Sequence, residues 1–126
     1  YQYLKQSCRM DLDNVNRNTY FGIHAACMGT SWMMVVNGYG GLRVYDNMLH
    51  FNPFCAKEWQ SLSFKITFKG ATIKTTVSKD EVVYELLTGE KLDFYHKDEL
   101  ISLTNFSRSL IIFISTSIIC ASFKTS

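Results

Sequence analysis

The sequence predicts an α+β chain: helices at the start, then a small antiparallel β-sandwich. Three observations carry this reading. Ile23 to Val36 is apolar nearly all the way round a helix of 3.6-residue period. Asn37-Gly-Tyr-Gly-Gly41 then supplies residues that tolerate a left-handed backbone and so end helices. From Leu42 onward the apolar residues recur every second position, as in half-buried strands.

The elements follow in order. Tyr1, Leu4, Cys8 and Leu12 fall near helical spacing, and residues 1–38 read as helical around a loop-like, Asn- and Asp-rich stretch at 11–22. Within Ile23–Val36 the apolar residues include Ala25, Ala26, Met28, Trp32, Met33 and Met34. A helix apolar on every face must be packed on every face, and nothing else in the first 38 residues is able to cover it. It therefore reads as one member of a larger helical assembly. Self-association or poor solubility is expected of the chain alone. Leu42–Tyr45 and Met48–Phe51 flank an Asp46–Asn47 turn and read as a hairpin. Pro53 breaks that run. Leu62, Phe64, Ile66 and Phe68 alternate with Ser63, Lys65 and Thr67. Further short strands follow at Thr72–Ser78, Glu81–Leu87 and Lys91–His96, each closed by polar turn residues. Ser109 to Phe123 carries an unbroken Ser/Ile/Phe character. It is shorter than the roughly 20 residues needed to span a bilayer. An extra strand or an aggregation-prone tail is the preferred reading.

Composition narrows the function classes. A formal charge of +2, with Lys and Arg scattered, argues against a nucleic-acid partner. Cys8, Cys27, Cys55 and Cys120 form no Cys-x-x-Cys pair, so no metal site is expected, and free thiols in a reducing cytoplasm are. Aromatic content of 14% implies an aromatic core or sugar-facing surfaces. Trp32 and Trp59 are expected to pack cores, Cys27 to be a small buried hydrophobe, and His50 and His96 to hold surface or turn positions. Arg43 is expected to pair with a carboxylate, and the glycines at 38–41 to act as a hinge.

One longer pattern is more specific. Asn18, Thr19, Gly22, Ile23, His24, Gly29, Ser31 and Trp32 are followed by Gly38, Gly40, Gly41, Leu42 and Arg43, then by Phe51, Pro53, Trp59, Leu62, Ser63, Phe64 and Ile66. This succession over about residues 1–104 resembles the C-terminal end of glycoside hydrolase family 65, the maltose, trehalose and kojibiose phosphorylases and their relatives. The resemblance implies that residues 1–40 are the last helices of an (α/α)6 catalytic barrel. It implies a jelly-roll-like C-terminal β-domain over 41–104, with 105–126 an atypical hydrophobic tail. It implies that His24 belongs to a phosphate site, with inorganic phosphate as co-substrate, a disaccharide as substrate and no further cofactor. Gly22–His24 favours the phosphate-dependent members over the family's hydrolases. The family's general-acid Glu lies far upstream. Glu58, Glu81, Glu85, Glu90 and Glu99 match no catalytic motif, so no catalytic residue is expected here. The resemblance thus implies a C-terminal fragment that is inactive alone. The alternative is a structural or carbohydrate-associated β-domain that docks onto a separate barrel polypeptide.

Overall fold

A computed structural model describes residues 1–114 and 119–120. The rest of the hydrophobic tail, 115–118 and 121–126, lies outside the described residues. The first 40 residues form two short α-helices, α1 (Gln2–Arg9) and α2 (Ala25–Met33). Between them Val15–Phe21 turns as 3-10 helix interrupted by left-handed Asn16 and Arg17. Left-handed backbone at non-glycine residues breaks a helix, which is why the helical reading of 1–38 resolves into two pieces. Among the described residues these two short α-helices are present, and no barrel can be traced from them.

Met34–Tyr39 continues α2 with the wider π pitch. Gly40 N–H donates to the Val35 carbonyl, five residues back, at 2.8 Å. This widened turn swings the chain onto the sandwich. Val36 becomes 1% exposed inside its core, a burial that stabilises by roughly 1.5–3 kcal/mol. Tyr39 packs on Trp59 and Phe54, with ring centres 4.7 and 5.1 Å apart. The two glycines that follow are required by close approach. A Cβ on Gly40 would lie 2.6 Å from the Phe64 ring. Gly41 has φ +60°, and a Cβ there would lie 2.1 Å from the Asn52 carbonyl oxygen. The expected hinge is thus a tightly packed seam.

Among the described residues nine strands form the sandwich: β1 (Arg43–Tyr45), β2 (Met48–Phe51), β3 (Ser61–Phe68), β4 (Ala71–Ser78), β5 (Glu81–Thr88), β6 (Lys91–His96), β7 (Glu99–Thr104), β8 (Ser109–Phe113) and β9 (Ile119–Cys120). One sheet has the order β1-β2-β6-β7 and the other β3-β4-β5-β8-β9. The β1–β2 hairpin turns on Asp46 and Asn47, both at positive φ, which matches the right-handed twist of the strands. One pair departs from the antiparallel expectation. β2 and β6 run parallel, with His50 opposite Tyr95. Residues 52–90 separate them and visit the other sheet first, a connection long enough for parallel pairing. The extra-strand reading of the last stretch holds for β8, which pairs antiparallel with β5 and sends Leu110 and Ile112 into the core.

The core lies between the two sheets. Leu49, Phe51, Leu92, Phe94 and Leu103 meet Phe64, Ile73, Val77, Val82, Tyr84 and Leu86 there. His96 corrects the surface reading. It is 7% exposed, and Tyr84 Oη lies 2.8 Å from its Nδ1. Period two accounts for this, because Leu92, Phe94 and His96 share the inward face of β6. Burial, and then the nearby Lys97, push the His96 imidazole down to about 4. Burial pushes the Tyr84 phenol up, so the bond joins two neutral groups across the sheets.

Candidate functional site

The helical layer that precedes the sandwich brings His24 to the head of α2. Asp11, on the turn after α1, accepts two hydrogen bonds from this one residue. The His24 backbone N–H donates to Oδ2 at 2.9 Å, and ring Nδ1 lies 2.5 Å from Oδ1. The side-chain bond from His24, followed by the backbone bond, holds the Asp11 carboxyl below the usual carboxylate range. An ionised Asp11 offers only acceptors, so Nδ1 carries the proton. Nε2 is then the ring's remaining nitrogen, an acceptor when the ring is neutral and a donor when it is protonated. Both side chains are partly exposed, at 34% for His24 and 24% for Asp11.

α1 and α2 are tied together beside this pair. Ser7 Oγ and Ser31 Oγ both donate to the Cys27 carbonyl, at 3.1 and 2.7 Å. The two hydroxyls lie 3.0 Å apart. This polar contact fixes the helices in register but leaves the apolar flank of α2 open. No residue of α2 is buried. Ile23 is 71% exposed, Met28 59% and Trp32 54%. Tyr20 and Phe21 are exposed just ahead of them. The helix expected to need cover therefore has α1 against one face and nothing among the described residues over its apolar flank.

Several sequence expectations change here. Trp32 does not pack a core, whereas Trp59 is half-buried against Tyr39 and Tyr1. Cys27 is half-buried, with its carbonyl rather than its thiol making the contacts. Arg43 has no carboxylate partner among the described residues. Its Nη1 donates to the carbonyls of Asn37 and Leu42, at 2.6 and 2.7 Å, because the tight seam aims those two oxygens at it. His50 stacks on Tyr95 at 4.7 Å, on the outer face of the four-stranded sheet. Asp11 escaped sequence reading. It sits 13 residues before His24 in a stretch that looked like a solvated loop, and only the fold of the intervening turn joins them.

Glu85 is paired across strands with Lys74 at 2.8 Å, on the outer face. Among the described residues no cluster of three or more His, Cys, Asp or Glu is placed to hold a metal ion. No described helix is long and apolar enough to cross a membrane.

Comparison with known proteins sets these features in a larger frame. The profile of "Glycosyl hydrolase family 65, C-terminal domain" matches residues 42–103. The chain is 48% identical over 103 residues to an α,α-trehalose phosphorylase of Thermoanaerobacter brockii, covering 82% of this chain and 13% of that protein. It is 41% identical to the maltose phosphorylase of Bacillus subtilis strain 168, over 70% of this chain and 12% of that protein. A solved structure from the human microbiome, described as a candidate kojibiose phosphorylase, superposes with a TM-score of 0.79 at 33% identity. That match covers 87% of this chain and 14% of the solved one. The chain thus spans about an eighth of the length of the relatives it matches.

Proposed function

The chain belongs to glycosyl hydrolase family 65, matched in that family's C-terminal domain, and on that premise we propose that it is the C-terminal part of a disaccharide phosphorylase. The reaction is phosphorolysis of an α-glucoside such as maltose to β-glucose 1-phosphate and glucose. Residues 1–40 are the last helices of the (α/α)6 barrel in this reading, and 41–104 most of its jelly-roll-like C-terminal domain, to which β8 adds a strand. The observation that carries it is the uncovered apolar flank of α2, headed by a histidine that a carboxylate already orients. A buried partner surface on the upstream part of the enzyme would cover Ile23, Met28 and Trp32. Removing such a patch from water is the dominant favourable term in association.

His24 is then a phosphate ligand. Asp11 fixes the ring through Nδ1 and leaves Nε2 to meet a phosphate oxygen, donating when the ring is protonated. The N–H groups of the first turn of α2 add a favourable field for an anion. In the inverting scheme phosphate replaces the activated water as nucleophile, and one carboxylic acid protonates the leaving oxygen. That acid is supplied from outside these 126 residues, so the chain alone has no activity. The compartment is a reducing cytoplasm, supported by the free thiols of Cys8, Cys27 and Cys55.

The docking alternative rests on the same patch, with the barrel on a separate polypeptide. Both readings are tested by assaying phosphate release from β-glucose 1-phosphate and glucose. The chain alone is expected to give none, and the chain mixed with a matching barrel polypeptide to give turnover. Turnover by the purified chain alone would overturn the fragment reading. A mixture that neither associates nor turns over would remove the docking reading.

A further inference from the structure

The sandwich carries a polar recess built from other elements than those around His24. It has a volume of about 240 Å³ and lies at the end of the four-stranded sheet. Arg43, Tyr45, His50, Asn52, Lys97 and Asp98 line it. Three backbone segments meet there and are locked to one another. Asn52 N–H donates to the Gly41 carbonyl at 3.3 Å, and Lys97 N–H to the Phe51 carbonyl at 2.7 Å. The close approach of Gly41 to Asn52 leaves no room for a side chain between them. The recess is therefore held by main-chain bonds before any ligand arrives, which lowers the ordering cost of binding.

Its charge is unbalanced. Arg43 uses only Nη1, on two carbonyls, so its Nε and Nη2 donors have no partner among the described residues. Neither Arg43 nor Lys97 takes part in a salt bridge among the described residues, and Asp98 bridges to neither. A guanidinium fixed on one side, with a planar pair of donors left open, suits an oxyanion with several oxygens. Beside these cations stands Tyr45, 56% exposed, its ring 5.3 Å from that of His50. His50 is in turn stacked on Tyr95, so Tyr45 is backed by an ordered aromatic row. Such a ring offers an apolar wall next to the anion site.

We propose that this recess binds a phosphorylated monosaccharide, with Arg43 and Lys97 on the phosphate, Asn52 on hydroxyls and Tyr45 against the apolar edge of the sugar ring. The site is distinct from the one proposed at His24 and does not require the barrel.

The test is a titration of the full chain with glucose 1-phosphate, inorganic phosphate and glucose, read by the backbone amide NMR shifts of Arg43, Asn52 and Lys97 and by calorimetry. An His24→Gln background removes any contribution from the helical layer, so failure here is separable from failure there. Saturable shifts with glucose 1-phosphate are expected, with none from glucose alone. Lys97→Asn is expected to weaken binding at least fivefold. Asn tolerates the left-handed backbone that Lys97 adopts at φ +53°, so this variant is expected to fold. Arg43→Gln is expected to weaken it more, and Tyr45→Ala to weaken glucose 1-phosphate but not inorganic phosphate. Absence of saturable shifts at these amides, or shifts indifferent to Lys97→Asn, would overturn the proposal. Equal binding of phosphate and glucose 1-phosphate, unaffected by Tyr45→Ala, would overturn the sugar assignment.

Discussion

Acid should loosen the sandwich through a single buried pair. Tyr84 on β5 and His96 on β6 join the two sheets at 2.8 Å. The Tyr84 phenol faces His96; the turn residues Lys97 and Asp98 and the first residue of β7, Glu99, line one recess with it. In the fold the imidazole titrates at about 4, against an ordinary 6.5. Between those values the unfolded chain binds a proton that the folded chain refuses. Stability contributed by the neutral ring is therefore complete above pH 6.5 and declines as pH falls toward 4. Each unit of displacement is worth about 1.4 kcal/mol, so the full loss is roughly 3 kcal/mol. Urea unfolding at pH 7.5, 6.0 and 4.5 measures it. His96→Asn supplies the control, since its Oδ1 is able to accept from Tyr84 and does not titrate. The variant is expected to be weaker at pH 7.5 by about 1–3 kcal/mol, for lost ring volume, and the gap is expected to close by pH 4.5. Equal losses in wild type and variant across this range would refute the assignment to His96.

Other outcomes follow from the same coordinates. Gly41→Ala places a Cβ on the Asn52 backbone at positive φ and should cost about 3 kcal/mol or more, seen as loss of the cooperative thermal transition. Thr75 is fully buried, and among the described residues its Oγ1 has no partner. Thr75→Val should raise stability by about 1 kcal/mol in urea unfolding, and a decrease would mean that the hydroxyl is satisfied after all. Trp32→Lys with Met33→Lys should reduce self-association in sedimentation experiments while leaving the thermal midpoint within a degree or two. A drop in midpoint of several degrees would show that the isolated chain covers this flank itself. Asp11→Asn removes the charged acceptor that orients His24 and should alter the His24 ring resonances without unfolding the sandwich. Unchanged resonances would dissolve the pair.

Much of the sandwich was legible because its information is local. Asp46–Asn47 predicts the first hairpin, and the alternation from Leu62 to Phe68 predicts which face of β3 is buried. The missed features depend on which elements meet. His96 continues an inward alternation, yet a titratable ring at a strand end reads equally well as surface. The parallel β2–β6 pair comes from a crossover over 52–90, which no short pattern encodes. Asp11 and His24 are joined by a turn whose left-handed Asn14, Asn16 and Arg17 are not fixed by residue type. The exposure of α2 was legible for a different reason. An all-apolar helix with too few neighbours in its own sequence must be covered by something else.

The central claim is that this helical layer completes a family 65 phosphate site. Its most direct test is a chimera in which this chain replaces the equivalent segment of the Thermoanaerobacter brockii trehalose phosphorylase, its 48%-identical relative. The chimera is expected to retain phosphorolysis, and His24→Ala within it to raise the KM for phosphate at least tenfold while leaving the fold intact. A folded chimera without activity, or an unchanged phosphate KM after His24→Ala, would contradict the account.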